Sequence, residues 1–171
     1  MMAPKELSMK TICMTLAVTL ITSTTSLALA QGGAHSHHHG SGHKAQQAWG
    51  IAGDAKKVSR SVAVSMDDTM RFTPDRLDVK QGETIRFVIT NKGKLPHEMV
   101  IGSKKELDEH AAMMARSPGM AHEEPSMAHV APGKSGDIVW TFNRAGSFNF
   151  ACLIAGHYQA GMRGSISVAA R

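Results

Sequence analysis

The sequence predicts an all-β fold, an antiparallel sandwich or barrel with one helical insertion, and three observations carry that reading. From Val58 onward, short runs alternate apolar and polar residues with a period of two. Turn residues separate these runs at the spacing of consecutive short strands. A single stretch, 104–116, changes to helical spacing behind a capping signal at Ser103.

The elements follow in chain order. Val62, Val64 and Met66 alternate with small or polar neighbours, and Leu77 and Val79 follow the turn-like Thr73-Pro74-Asp75. In GETIRFVITNKG, Ile85, Phe87 and Ile89 share one face, opposite Thr84, Arg86 and Thr90, and Asn91-Lys92-Gly93 closes the strand. HEMVIG, 97–102, is a further short strand. Ser103 and Glu106 then match a capping box, and KKELDEHAAMMAR reads as about three helical turns ended by Ser117-Pro118-Gly119. A loop of about fifteen residues follows, long for a compact domain. Ile138, Trp140 and Phe142 alternate in the next strand, then Phe148 and Phe150, and GSISVA ends the pattern. Met66, Met70 and Met99 are expected in the core, the last because it lies two residues past His97 on one strand face. Met114, with Leu107 and Ala111, is expected to lay the helix on the sandwich.

Ahead of this domain, residues 1–30 read as an export signal. Lys5 and Lys10 precede an uncharged stretch from Thr11 to Leu29, and Ala28-Leu29-Ala30 is a small-x-small cleavage site. Thr and Ser within the stretch favour cleavage over a membrane anchor. Cys13 lacks the upstream apolar residue of a lipid-attachment box. Residues 31–57 read as a flexible His-rich tail, too poor in apolar groups to offset ordering entropy. His35, His37, His38, His39 and His43 in it form a weak metal-capture tract. Residues 58–171 are the domain, with 103–131 as its helix-and-loop insertion. The expected location is the periplasm, and the expected state a monomer. The formal net charge of +5 is scattered and aromatic residues make up 5%, which argues against a nucleic-acid surface.

Loss of the signal would take Cys13 and leave Cys152 without a disulfide partner. A lone thiol in an oxidising compartment is either buried hydrocarbon-like packing or a metal ligand. The stretch FACLIAGHYQAGMRG decides for the second, because Cys152, His157 and Met162 recur at intervals of five. A thiolate, an imidazole and a thioether are a soft set that favours copper; zinc replaces the thioether with a harder ligand. A second imidazole is needed, and His97 is the candidate, at a strand start stiffened by Pro96.

TPDRLDVKQGETIRFVITNKGKLPHEMVIG and GSFNFACLIAGHYQAGMRGSISV resemble the cupredoxin (plastocyanin/azurin) family, most of all the periplasmic copper-tolerance cupredoxins of the CopI kind. The resemblance implies an eight-stranded, cupredoxin-like Greek-key β-sandwich with one type 1 copper held by His97, Cys152, His157 and Met162. It departs from the pattern at Glu98, where many members carry an asparagine that ties the two ligand loops together.

Beyond that centre, Met-Ala-His occurs twice, at Met120/His122 and Met127/His129, and suggests a second soft site for Cu(I) beside Glu123 and Glu124. The function expected is copper tolerance: binding copper, Cu(I) or Cu(II), and accepting electrons from Cu(I). The alternative is a small electron carrier between redox enzymes. Leu95, Pro96, Ile154, Ala160 and Gly161 would form an apolar rim at His157 for a transient redox or copper-delivery partner. An oxidase would need further domains, and no hydrolase nucleophile motif is present, so the chain is not expected to be an enzyme.

Overall fold

The computed structural model describes residues 45–117 and 123–171. Ten strands and one α-helix lie among them. The strands are β1 (Ile51–Ala52), β2 (Arg60–Asp67), β3 (Arg71–Thr73), β4 (Arg76–Lys80), β5 (Thr84–Asn91), β6 (His97–Gly102), β7 (Met127–Val130), β8 (Ser135–Thr141), β9 (Gly146–Ala151) and β10 (Arg163–Ala169); the helix α1 spans Lys104–Arg116. They form two five-stranded sheets, ordered β1-β8-β5-β2-β3 and β4-β10-β9-β6-β7. The all-β expectation holds, and α1 covers the expected stretch 104–116, while Met127–Val130 of the expected 103–131 insertion forms strand β7 against β6.

Other details differ from the sequence reading, the first being ten strands where the resemblance implies eight. The sandwich is not wholly antiparallel: β2 runs parallel to β5, and β4 parallel to β10. Alternation says which face a residue takes but not which strands become neighbours, and crossover connections bring these pairs together. The ordered domain also begins before residue 58. Ile51 and Ala52 pair with Thr141 and Trp140, and Asp54 caps a 3-10 turn at Ala55–Lys57. Trp49 is only 7% exposed, and its carbonyl accepts the Trp140 indole N–H at 3.0 Å. One indole supplies the burial that the polar composition of 31–57 conceals. Residues 1–44, with the expected signal and five tail histidines, lie outside the described residues.

The inner faces enclose a single core. Met66, Phe72, Ile85, Phe87, Ile89 and Trp140 from one sheet meet Met99, Ile101, Phe148, Phe150 and Ile166 from the other. Phe72 packs edge-on to Phe150 with centroids 5.0 Å apart. A second cluster lies on the outer side of the second sheet, where Leu107, Ala111 and Met114 of α1 cover Val100, Met127, Ala151 and Leu153. The helix begins where the sequence places it, with Ser103 Oγ accepting the Glu106 N–H at 3.3 Å. Because α1 covers the outer face, all six residues of β6 are buried. This doubly covered strand carries His97 and Glu98, and its neighbour β9 leads directly into Cys152. The site is therefore built on rigid elements rather than on loops alone.

Candidate metal centre

His97 is the first residue of β6, and its approach is fixed from two sides. Asn91, fully buried, donates through Nδ2 to the carbonyls of Leu95 (2.8 Å) and Val130 (2.9 Å), while its Oδ1 accepts the Gly93 N–H (2.8 Å). Asp68, in the turn between β2 and β3, accepts the N–H groups of Lys94 (2.8 Å) and Leu95 (3.2 Å). Its Oδ1 also lies 3.1 Å from His97 Nε2. These bonds, led by the one from Lys94, hold the Asp68 carboxyl below its usual pKa. With Nε2–H donating to Asp68, Nδ1 of His97 is the lone-pair nitrogen. It is buried and makes no hydrogen bond.

The other three residues come from the loop between β9 and β10. Cys152 N–H donates to the Met162 carbonyl (3.0 Å), and Met162 N–H to the His157 carbonyl (3.1 Å). The loop thus folds back on itself and brings residues five apart to one place. Gly156 and Gly161 have φ of 90° and 92°, a region that L side chains avoid. Arg71 Nη1 holds the Ala160 carbonyl at 3.0 Å. On the opposite side, the Tyr158 hydroxyl bonds Asp108 of α1 at 2.5 Å, and Arg163 stacks 5.1 Å from the Tyr158 ring centroid.

The ligand-capable atoms of His97, Cys152 and His157 all lie within 4.8 Å of one another. Cys152 Sγ is 3.3 Å from His157 Nδ1, and the two imidazoles sit with centroids 4.9 Å apart. Met162 is fully buried in the same core cluster as Cys152. Burial pushes the Cys152 thiol up to about 12, against the opposing pull of hydrogen bonds from the backbone at Glu98 and Ile154. Burial likewise lowers the His157 pKa, followed by the charge of His97, so its ring is neutral at pH 7. An unsatisfied buried imidazole nitrogen on a residue clustered with a thiol and a neutral imidazole is what a soft metal ion would satisfy.

Glu98 answers the departure noted in the sequence. It is 2% exposed, and its Oε1 accepts the N–H of Leu153 at 2.8 Å. The acid therefore ties the His97 strand to the residue after Cys152, the task expected of asparagine. Its Oε2 lies 2.9 Å from His129 Nδ1.

The Met/His repeat is used differently from the sequence expectation. Met127 is buried among Val100, Leu107 and Met114 as packing, and His129 engages Glu98. Met127 points to hydrocarbon because α1 covers its face of β7. Met120 and His122 lie outside the described residues. Asp68, Tyr158 and Asp108 were not singled out from the sequence. Asp68 stands 29 positions from His97, and no local spacing signals that contact.

Residues 58–169 match the family model described as copper binding proteins, plastocyanin/azurin family. The chain belongs to this family. It is 49% identical over 137 residues to the copper-resistant cuproprotein CopI of Rubrivivax gelatinosus, covering 80% of this chain and 82% of that protein. It is 38% identical to the protein of the same name from Pseudomonas aeruginosa, over 71% and 83% of the two chains. Among solved structures it is similar to reduced auracyanin from Roseiflexus castenholzii, with a TM-score of 0.56 and 22% identity over 66% of this chain and 98% of that one. Auracyanin B gives a TM-score of 0.58 at 20% identity, over 70% and 96%. These two likenesses concern the fold, and they agree with the cupredoxin sandwich.

Proposed function

We propose that this protein is a periplasmic type 1 copper protein of copper tolerance, with His97, Cys152, His157 and Met162 as the ligands of one copper ion. The observation that carries the reading is the gathering of ligand atoms of His97, Cys152 and His157 within 4.8 Å of one another, with His97 Nδ1 buried and free of any hydrogen bond. The name that its relatives carry, copper-resistant cuproprotein, supports the same role.

Copper in such a site supplies one-electron chemistry and a strong bond to thiolate sulfur. The chain's own residues do the rest. Asn91 and Asp68 fix the His97 loop, Glu98 ties that strand to the Cys152 loop, and Arg71 and Tyr158 hold the far end. A pre-set geometry lets the ion change charge with little rearrangement of the protein. The same centre would accept an electron from Cu(I), detoxifying it. Further copper capture falls to the tail histidines and to Met120 and His122, since Met127 and His129 already serve as packing and as the partner of Glu98. We read the chain as a binding protein rather than an enzyme, exported after cleavage at Ala30 and working as a monomer.

The test is a purified protein titrated with Cu(II). An intense thiolate-to-copper absorption band should appear at one equivalent and vanish in Cys152→Ser. Cells lacking the protein should become copper-sensitive, and the Cys152→Ser gene should not restore them. Normal growth of the deletion strain in copper would overturn the tolerance reading.

One observation favours the electron-carrier alternative. His157 is partly exposed, and Leu95, two residues before His97, is 44% exposed, apolar surface suited to brief docking. Copper stoichiometry separates the two. One equivalent, with no additional Cu(I) uptake by the full chain, fits the carrier. Extra equivalents lost on replacing Met120, His122 and the tail histidines fit tolerance.

A further inference from the structure

Two carboxylates touch residues of the ligand set or their immediate neighbours. Asp68 reaches His97 Nε2 from the β2–β3 turn (3.1 Å). Glu98 reaches the N–H of Leu153 from β6 (2.8 Å), and its own backbone N–H is directed at the Cys152 sulfur. Tying two loops together needs only a neutral acceptor. An amide oxygen at position 98 would take the Leu153 N–H equally well, and a backbone carbonyl could receive the His97 N–H. Burying a carboxylate is costly unless it is paired, yet Glu98 is almost wholly buried and engages His129 with its second oxygen at 2.9 Å. Asp68 also accepts the Lys94 and Leu95 N–H groups, one on each oxygen, and those bonds account for two acceptor oxygens but not for a charge beside the ligands.

We propose that Asp68 and Glu98 are positioning residues of the copper centre whose negative charge biases it toward Cu(II). The inference rests on the type 1 reading above. An N–H donated to a carboxylate makes the other imidazole nitrogen a stronger donor, so Asp68 acts through His97. Glu98 acts through the Cys152 loop, and His129 holds its second oxygen in place. With one thiolate ligand, the cupric centre carries one positive charge and the cuprous centre none. Two nearby carboxylates therefore stabilise the oxidised state more than the reduced one. His129, set down by sequence pattern as a ligand of a second site, becomes part of the support of the first.

The experiment compares the full chain with Asp68→Asn and Glu98→Gln, both nearly isosteric. Cu(I) and Cu(II) affinities of the metal-free proteins are measured by competition with chelators, and reduction potentials by redox titration. Each variant should keep one copper and its absorption band, lose about 10- to 100-fold in Cu(II) affinity, lose less in Cu(I) affinity, and show a raised potential. A purely structural role would instead lower the denaturation midpoint of the metal-free protein and leave the Cu(I)/Cu(II) affinity ratio within twofold of the parent. That result in Asp68→Asn overturns the proposal, and Asp68 decides alone if Glu98→Gln fails to fold, because Asp68 is the more exposed of the two. Failure of the underlying site reading is distinct: the parent protein itself would show no thiolate band with Cu(II).

Discussion

Copper affinity should climb with pH in a way that identifies its thiol. Cys152 is fully buried, and burial pushes its pKa up to about 12 from an ordinary value of 9.0. A copper-bound sulfur must first lose that proton. At pH 7 only about one molecule in 10⁵ carries the thiolate, a deficit of about 7 kcal/mol at 1.36 kcal/mol per pKa unit. The sign follows from competition between metal and proton for one sulfur, so affinity rises with pH. Because the pKa lies far above the working range, each unit from pH 7 to 10 should strengthen binding about tenfold. An ordinary thiol would level off above pH 9. Burial lowers the His157 pKa, so its ring is already neutral across this window and releases no proton. The assay is competition against a chelator of known pH dependence, with proton release counted by an indicator dye at low buffer strength. One proton per copper at pH 8 is expected, and none from Cys152→Ala. A flat profile, or a plateau near pH 9 in the intact protein, would refute the reasoning that a buried, protonated Cys152 is the sulfur ligand.

Three further outcomes test the supporting structure. Met127→Ala should cost about 2–5 kcal/mol in urea denaturation without losing a copper equivalent, because its side chain packs under α1. Deleting residues 1–44 should leave the melting temperature of the domain intact, whereas deleting 1–57 removes Trp49 and β1 and should cost about 3–5 kcal/mol or more; equal stability of the two truncations would contradict the early domain boundary. Tyr158→Phe, which loses the bond to Asp108, should lower the melting temperature by about 4 °C or less, with the thiolate-to-copper band retained.

The legible part of the molecule was the part written in short spacings. Cys152, His157 and Met162 lie in one loop, so their spacing alone suggested convergence, and the strand alternation from Val62 to Val168 told inside from outside. Whatever depended on pairing across the chain stayed hidden. The parallel neighbours β2–β5 and β4–β10 leave no mark in alternation. Glu98 stood out as an acid at a place expected to hold asparagine, but its acceptor role spans 55 positions. Asp68 gave no signal at all, because a turn of one sheet meets a loop of the other only after both have folded. Met127 and Met120 look equivalent in the repeat; only the placement of α1 over β7 makes the first a core residue.

The acids at 68 and 98 also bear on what the centre is for. A site that favours Cu(II) gives up an electron more readily than it takes one, so the carboxylates work against electron acceptance from Cu(I). They work in favour of holding copper tightly in its cupric form, where two imidazoles and a thiolate together satisfy it. The charge that ties the ligand loops together is therefore also a vote between the two halves of the tolerance role. If Asp68→Asn raises the potential while weakening Cu(II) binding, retention of the ion is the property this site is built for. Electron uptake would then depend on a partner strong enough to draw the electron onward from the His157 face.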